Sequence, residues 1–267
     1  MPEPRISEIK KYLRLKTMPT LWCPGCGLGL VVSAIIRAVI KLSIKKDDIA
    51  FITGIGCTGR MSGYMDFNTI HTTHGRALAF ATGLKLARPD LTVIVVMGDG
   101  DALAIGGNHF IHACRRNLDI TAIIVNNSIY GMTGGQVSPL TPRGEKAVTA
   151  PYGSLEPAFN AAKLAEAAGA SFVAKSTTYH LVEAESLIIK GIEKKGFSVI
   201  ELQAQCPVYY GRLTGKGSAA SMLQGYRESF RAKEGKSPER GVMVEKELPE
   251  YGQTYRNIVA SLAARQV

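Results

Sequence analysis

The sequence predicts an α/β fold in which a mainly parallel, twisted sheet carries helices on both faces. Short apolar segments of strand length, such as the β-branched run at residues 91–97, alternate with longer apolar segments of helix length. Strands and helices that alternate in this way build parallel sheets through right-handed crossovers. Apolar residues make up 46% of the 267 residues and charged residues 20%, so a substantial buried core is expected.

The predicted elements follow one another along the chain. They are helix 28–42, strand 49–53, helix 74–87, strand 91–97, helix 103–116, strand 120–125, helix 156–168, strand 171–175, helix 179–195 and strand 197–202. Between them, residues 127–157 lack periodicity and are rich in Gly, Pro, Ser and Thr. Because so long an irregular segment is uncommon in a compact domain, we expect it to be functional.

Two parts of the chain are expected. Residues 1–216 are predicted to form one domain, and residues 217–267 a helical extension that packs on this domain or on a partner subunit. Residues 17–36 are uncharged, but two prolines, three glycines and two cysteines argue against a membrane span. The charged N-terminus does not resemble a signal peptide, so a cytoplasmic protein is expected.

The chain carries a net charge of +10. Its basic residues are scattered rather than clustered, and aromatic residues make up only 7%, so no nucleic-acid partner is expected. Scattered positive charge suits an acidic protein partner better, because complementary charge speeds encounter without needing a groove.

Polar residues follow two predicted strands at the point where each strand ends. Asp99 stands between two glycines in MGDGD, and Asn127 follows the next strand in VNNSIYG. In open α/β sheets ligands bind at this edge, and magnesium prefers oxygen ligands of this kind, completed by diphosphate oxygens. The G-x-G-x-x-G pattern of dinucleotide-binding folds is absent, since Gly106 and Gly107 fall too late.

GDG followed by NN resembles the binding motif of thiamine-diphosphate-dependent enzymes. The resemblance implies that the Asp99 and Asn127 side chains and the Ile129 carbonyl bind Mg²⁺ beside thiamine diphosphate.

The segment WCPGC leaves three interpretations open. It resembles the redox motif of thioredoxins, yet no strand precedes it. Zinc would need four ligands, and only single cysteines at positions 57 and 206 could complete the pair Cys23 and Cys26. Thiolates from several turns suit an iron–sulfur cluster equally well.

WCPGCG, GIGCTGR, HTTHGRA, GDGD, NNSIYGMTGGQ and QCP together resemble the beta subunit of 2-oxoacid:ferredoxin oxidoreductases. The resemblance runs from residue 20 to about residue 212. It implies that Cys23, Cys26, Cys57 and Cys206 hold one 4Fe–4S cluster. Cys114 lies inside the predicted helix after GDGD and is expected to be a small buried apolar residue. Residues implied to line thiamine diphosphate are Ile55, Gly56, Cys57, Thr58, His74, Gly75, Arg76, Gly100, Asp101, Gly131 and Met132.

The same resemblance implies oxidative decarboxylation of a 2-oxoacid with coenzyme A, reversible as reductive carboxylation, with electrons passing through the cluster to ferredoxin. Arg60 and His74 are the candidate catalytic residues, Arg60 for its ability to pair with a substrate carboxylate. An alpha subunit is expected to complete the site, with gamma and delta subunits as further candidates.

HTTHGRALAFATGLKLARPDL is most similar to 2-oxoglutarate-type subunits, which favours 2-oxoglutarate as the substrate. Pyruvate or branched-chain oxoacids, a non-redox thiamine diphosphate lyase, and a non-enzymatic electron-transfer or zinc module are the alternatives.

Overall fold

The computed structural model of the chain describes residues 3–229 and 239–264. Its helices are α1 Ile6–Lys10, α2 Leu28–Lys41, α3 Ala77–Ala87, α4 Gly107–Arg116, α5 Ala161–Ala167, α6 Leu181–Glu193, α7 Ala219–Ser229 and α8 Tyr251–Ala263. Its strands are β1 Ile49–Thr53, β2 Asn68–His71, β3 Thr92–Gly98, β4 Ile120–Asn126, β5 Phe172–Thr177, β6 Phe197–Gln203 and β7 Gly241–Glu245.

The strands form one seven-stranded sheet in the order β2-β1-β3-β4-β6-β5-β7. All neighbouring pairs are parallel except β5 and β7, which are antiparallel. The predicted α/β fold with a mainly parallel sheet is therefore confirmed. Strands β1 and β4 are buried along their whole length, as their continuous apolar sequences require.

Helices cover both faces of the sheet, and each face has its own core. On one face, helices α3, α4 and α5 pack on alternate strand residues such as Val93 and Val95. On the other face, α2 and α6 pack on the residues between them, such as Ile94 and Val96. This alternation follows from the strand period of two, which sends neighbouring side chains to opposite faces.

Four helices begin later than the sequence predicts, α6 by only two residues and the other three by more. Helix α3 begins at Ala77 because Gly75 has a φ of +70°, outside the helical region. A π-helical turn occupies Asp101–Ile105, so α4 begins only at Gly107. Helix α5 begins at Ala161, where the Asn160 side chain caps it by accepting a hydrogen bond from the Lys163 amide.

The C-terminal part of the chain contains helices α7 and α8 and also strand β7, which extends the main sheet beside β5. This strand is not among the elements that the sequence predicts, because GVMVE is short and only Val244 of it is buried. Residues 230–238 and 265–267 of the predicted extension lie outside the described residues. No helix within the described ranges combines the length and the apolar character that crossing a membrane requires.

Candidate cofactor site

The site lies at the carboxyl ends of β1, β3 and β4, where an open cavity of about 190 Å³ is bordered by the turns that follow these strands. Strands β3 and β4 are direct neighbours, with Gly98 in register with Val125. The turns that follow them therefore meet at one edge of the sheet, as the sequence predicts. The lining residues are Ile55, Gly56, Cys57, Thr58, His74, Gly98, Asp99, Gly100, Asp101, Asn127, Ile129, Tyr130, Gly131, Met132 and Thr133.

Asp99 supplies the cavity with a buried carboxylate that is only 3% exposed. Ser138 Oγ donates a hydrogen bond of 2.6 Å to Asp99 Oδ2. Burial raises the pKa of Asp99 to about 6, although this hydrogen bond and backbone N–H donors oppose the shift. No lysine or arginine among the described residues forms an ion pair with Asp99, so the site offers a negative charge to a bound cation.

The two asparagines after β4 have different surroundings. Asn126 is buried, and its Nδ2 donates to Glu201 Oε1 of β6 at 2.7 Å. Its Oδ1 accepts hydrogen bonds from the Ser128 amide and hydroxyl, which hold Ser128 at a φ of +61°. Such a φ is costly for a residue other than glycine. Asn127 instead lines the cavity, so Asn126 fixes the turn that presents Asn127.

Asp101 connects the turns after β1 and β2. Its Oδ1 accepts hydrogen bonds from His74 Nδ1 at 2.5 Å, from the Gly75 amide at 2.7 Å and from the Ile55 amide at 3.3 Å. Its Oδ2 is buried without a hydrogen-bond partner. A Cβ at Gly54 would lie 1.7 Å from this oxygen, so only glycine fits at position 54.

Gly100 allows the Tyr130 ring to pack directly against the backbone that follows Asp99. A Cβ there would lie 2.3 Å from the Tyr130 ring, which crosses this glycine and donates a hydrogen bond from its hydroxyl to the Gly100 carbonyl at 3.2 Å. Tyr130 also borders a second cavity, lined by residues such as Ser138 and Ser154 of the long irregular segment. The segment 127–157 therefore forms one wall of the site.

Cys57 and Cys206 approach each other around Gly131. A Cβ at Gly131 would lie 3.7 Å from each of the two Sγ atoms. Cys57 also lines the main cavity, so it is shared between the cavity and the group of cysteines.

Cys23 and Cys26 lie in the loop before α2, and this loop is docked on the residues that precede Cys206. The Gly27 amide donates to the Gln205 carbonyl at 3.0 Å, and Gln205 Nε2 donates to the Gly25 carbonyl at 3.2 Å. Trp22 Nε1 also donates to the Cys57 carbonyl at 2.7 Å. These contacts bring four cysteines from distant parts of the sequence into one neighbourhood.

All five cysteines are free thiols. Burial, with a smaller contribution from the neighbouring cysteines, raises the pKa of Cys26 to about 12 and that of Cys57 to about 11. Within residues 3–229 and 239–264, no three or more His, Cys, Asp or Glu side chains are arranged to hold a metal ion. Cys114, a residue of helix α4, is fully buried in the core between this helix and the sheet.

Three of the residues expected at the site do not line the cavity. The guanidinium of Arg76 donates to the Ile105 carbonyl at 3.2 Å, and the Gly75 amide is directed at Asp101. Arg60 is exposed near Cys57 and makes no side-chain hydrogen bond or ion pair with any residue that the structure describes. The structure adds Gly98, Tyr130 and Thr133 to the lining, all next to residues that the motifs identify.

Comparison with protein families gives a match over residues 54–202 to the family described as thiamine pyrophosphate enzyme, C-terminal TPP binding domain. The matched range contains all of the residues that line the cavity. The chain thus carries a thiamine-diphosphate-binding domain.

Curated relatives extend the similarity over most of the chain. The 2-oxoglutarate synthase subunit KorB of Archaeoglobus fulgidus is 52% identical over 228 residues, which cover 85% of this chain and 83% of the relative. The protein of the same name from Methanocaldococcus jannaschii is 53% identical over 219 residues, covering 82% and 81%.

One solved structure is similar over nearly the whole chain. It is the 2-oxoglutarate:ferredoxin oxidoreductase from Magnetococcus marinus with 2-oxoglutarate, coenzyme A and succinyl-CoA bound. The TM-score is 0.84 at 33% identity, and the match covers 96% of this chain and 91% of the other.

Proposed function

This chain belongs to the family of 2-oxoacid:ferredoxin oxidoreductase beta subunits, and we propose that it is the beta subunit of a 2-oxoglutarate:ferredoxin oxidoreductase. In this proposal the complex converts 2-oxoglutarate and coenzyme A to succinyl-CoA and carbon dioxide, and two electrons pass to ferredoxin. The observation that carries it is the meeting of Asp99, Asn127, Ile129 and Cys57 at one cavity, within a thiamine-diphosphate-binding domain.

We propose that this cavity holds the diphosphate of thiamine diphosphate through Mg²⁺. Asp99, the Asn127 side chain and the Ile129 carbonyl are hard oxygen ligands, and Mg²⁺ takes one or two carboxylates together with substrate phosphates. The buried Asp99 carboxylate lacks a cationic partner among the described residues, and Gly98 and Gly100 let the backbone approach a ligand. The residues present therefore fit this ion and this cofactor.

A 4Fe–4S cluster held by Cys23, Cys26, Cys57 and Cys206 is the second part of the proposal. In such a cluster each thiolate binds a different iron atom, so the four sulfurs need not converge on one point. The space beside Gly131 is bordered by the Sγ atoms of Cys57 and Cys206, which fits this arrangement. Because Cys57 also lines the cofactor cavity, electrons would have a short route from cavity to cluster.

Thiamine diphosphate supplies the carbanion chemistry on which 2-oxoacid decarboxylation depends. We assign to this chain the tasks of binding the diphosphate, orienting the cofactor and receiving electrons. The exposed guanidinium of Arg60, near Cys57, is available to pair with a carboxylate of the substrate. His74 lines the same cavity, and we assign to it a hydrogen bond to an oxygen atom of a bound ligand.

The cavity is open on one side, and we propose that an alpha subunit covers it. Apolar side chains at its rim are exposed, among them Ile55 at 38% and Met132 at 43%. Further along the chain, Leu155 of the long irregular segment is 84% exposed, and Phe159, just beyond that segment, is 55% exposed. Exposed apolar groups of this kind mark surfaces that bind a partner. We also propose an acidic ferredoxin as the electron acceptor, since the +10 charge of this chain would attract it. Gamma and delta subunits are further partners in this proposal, and the location is cytoplasmic.

Binding of thiamine diphosphate tests the proposal. Calorimetry with Mg²⁺ should give a saturable signal for the unchanged protein, and Asn127→Ala should weaken it at least tenfold. Asn160→Ala, which removes only a helix cap, is the matched control and should bind normally. Normal affinity in the Asn127 variant would show that the diphosphate lies elsewhere.

A further inference from the structure

Asp101 and His74 form a pair that the binding of magnesium and diphosphate does not require. Magnesium coordination is assigned to Asp99, Asn127 and Ile129, yet a second carboxylate two residues later is almost completely buried. Asp101 Oδ1 lies 2.5 Å from His74 Nδ1. Burying a carboxylate costs free energy unless it is hydrogen-bonded or paired with a charge. Asp101 is directed at the imidazole of His74, which lines the cavity.

We infer that Asp101 is a positioning residue for His74. The Asp101 carboxylate accepts a hydrogen bond from His74 Nδ1–H, which fixes the orientation of the imidazole and directs Nε2 at a ligand in the cavity. The inference rests on the proposed function, because the ligand is an oxygen atom of that cofactor or of that substrate.

The arrangement of donors around Asp101 supports this role. Oδ1 already accepts the amides of Gly75 and Ile55, which hold the carboxylate in place from two separate turns. A carboxylate that is an acceptor for two fixed backbone donors cannot rotate to release His74 without breaking both bonds. The orientation of the His74 ring and the proton on its Nδ1 are thus set by a rigid partner, as in other sites where a carboxylate orients a histidine.

The other nitrogen of His74 is free for a ligand. Nε2 makes no hydrogen bond to any residue that the structure describes, and the side chain is 35% exposed on the cavity side of the turn. With Nδ1–H donated to the carboxylate, the imidazolium form of the ring donates Nε2–H to an oxygen acceptor. Two acceptors are candidates: an oxygen of the diphosphate, or the keto oxygen of the 2-oxoacid.

Gly54 is the feature that makes the buried pair possible. Asp101 Oδ2 occupies the space where any larger residue at position 54 would place its Cβ. Because Oδ2 has no partner, an Asp101→Asn side chain can keep its carbonyl oxygen at the Oδ1 position and retain all three hydrogen bonds there. Asp101→Ala removes them. The two variants therefore separate loss of the acceptor from loss of the charge.

A double-mutant cycle on the complete complex tests the inference, with kcat/KM for the 2-oxoacid and the Kd of thiamine diphosphate as readouts. We expect Asp101→Ala and His74→Gln each either to lower kcat/KM or to raise the Kd of thiamine diphosphate, by about tenfold or more. In the double variant the loss should equal that of His74→Gln alone. His180→Gln, at a histidine outside the cavity, is the control and should leave both readouts unchanged.

The two sources of the oxygen give different results. If it belongs to the diphosphate, His74→Gln raises the Kd of thiamine diphosphate. If it belongs to the 2-oxoacid, that Kd is unchanged and kcat/KM falls. A loss from Asp101→Ala that persists undiminished in the His74→Gln background overturns the inference, as does an unaffected His74→Gln variant. Should Asp101→Ala not fold, Asp101→Ser, whose shorter side chain withdraws the acceptor from His74 Nδ1, takes its place in the cycle with the same criterion.

Nitrogen NMR of ¹⁵N-histidine-labelled protein provides a readout that does not depend on turnover. The ring signals of His74, identified by their loss in His74→Gln, should report a proton on Nδ1 in the unchanged protein and in Asp101→Asn, and a mixture of tautomers in Asp101→Ala. Identical ring signals in Asp101→Ala and the unchanged protein would contradict the inference. This result is separable from the proposed function, whose failure would appear as absent thiamine diphosphate binding.

Discussion

Ser138 donates its hydroxyl proton to Asp99 across 2.6 Å, and this bond ties the long irregular segment to the turn after β3. Both side chains are buried, each 3% exposed. Ser138 is held in turn, because its amide donates to Thr141 Oγ1 at 2.8 Å. The segment 127–157 thus orients the carboxylate that we assign to magnesium, and several predictions about the site depend on contacts of this kind.

Ser138→Ala should weaken Mg²⁺-dependent binding of thiamine diphosphate about tenfold. The hydroxyl fixes the orientation of Asp99, and loss of such a partner of a metal ligand typically costs about 10- to 100-fold in affinity. Titration calorimetry at saturating Mg²⁺ measures the change. Ser261→Ala, at a serine whose hydroxyl donates within helix α8, is the control. Equal affinities in the two variants would show that the Ser138 hydroxyl does not contribute to binding through Asp99.

Asp99→Asn should stabilise the magnesium-free protein at neutral pH while abolishing magnesium binding. Burial raises the pKa of Asp99 from 3.8 to about 6, so the folded state holds this proton more tightly than the unfolded state. The resulting stabilisation is present in full below about pH 4 and is lost as the pH rises through 6. For a pKa shift of this size, the stability lost on ionisation is about 2–3 kcal/mol. An amide does not ionise, so Asp99→Asn avoids this loss.

Urea unfolding of the magnesium-free protein and of Asp99→Asn at pH 4 and pH 7.5 gives the comparison. The free energy of unfolding of the variant, relative to that of the unchanged protein, should be higher at pH 7.5 than at pH 4. A stability difference that is the same at both pH values would show that Asp99 does not titrate in this range.

Gly131→Ala should prevent cluster assembly without disturbing the fold. Its φ is not positive, and the nearest atoms to the added methyl group are the two Sγ atoms at 3.7 Å and a Tyr209 carbon at 3.8 Å. The protein without a cluster can accept these contacts, but the methyl group occupies space between two proposed ligands. Iron analysis should therefore show a large loss, with an unchanged circular dichroism spectrum. Full iron content in this variant would place the cluster away from Gly131.

Cys206→Ser should also strip the iron, whereas Cys114→Ser should not. The two cysteines are both buried, but only Cys206 borders the space beside Gly131. Cys114→Ser places a hydroxyl in the apolar core and should lower stability by about 1–3 kcal/mol instead. Iron and sulfide content after anaerobic purification separates the two effects. Similar iron losses in both variants would mean that the ligand set is wrong.

The sequence predicts the sheet and the positions of the turns well because both depend on local patterns. Buried parallel strands such as β3 and β4 are continuous apolar runs, and the polar residues after them fall at one edge by topology alone. Strand β2 is not among the predicted elements because it lies at the edge of the sheet, and its four residues are only partly buried or exposed. Strand β7 pairs across the chain with β5, and no local signal encodes that pairing.

Side-chain partners inside the site were less predictable. Nothing in the sequence links Ser138 to Asp99 or Gln205 to the loop at Gly25, because these contacts depend on how distant turns pack. Asn126 and Asn127 have the same side chain, and the sequence selects Asn127 only through the family resemblance; the structure adds that Asn126 is bonded inward to Glu201 while Asn127 lines the cavity. Arg76 belongs to a motif but is directed away from the cavity by its bond to the Ile105 carbonyl.

The most direct test of the central claim is the rate of viologen dye reduction by the anaerobically reconstituted complex of this chain with its alpha subunit. With thiamine diphosphate, Mg²⁺ and coenzyme A, we expect dye reduction that depends on 2-oxoglutarate and is slower with pyruvate. This chain alone should give no turnover, because its cavity is open to water on one side. Asn127→Ala should abolish the activity of the complex. Turnover by this chain alone would show that no partner subunit is needed, and an unchanged rate with Asn127→Ala would show that the diphosphate does not bind at this cavity.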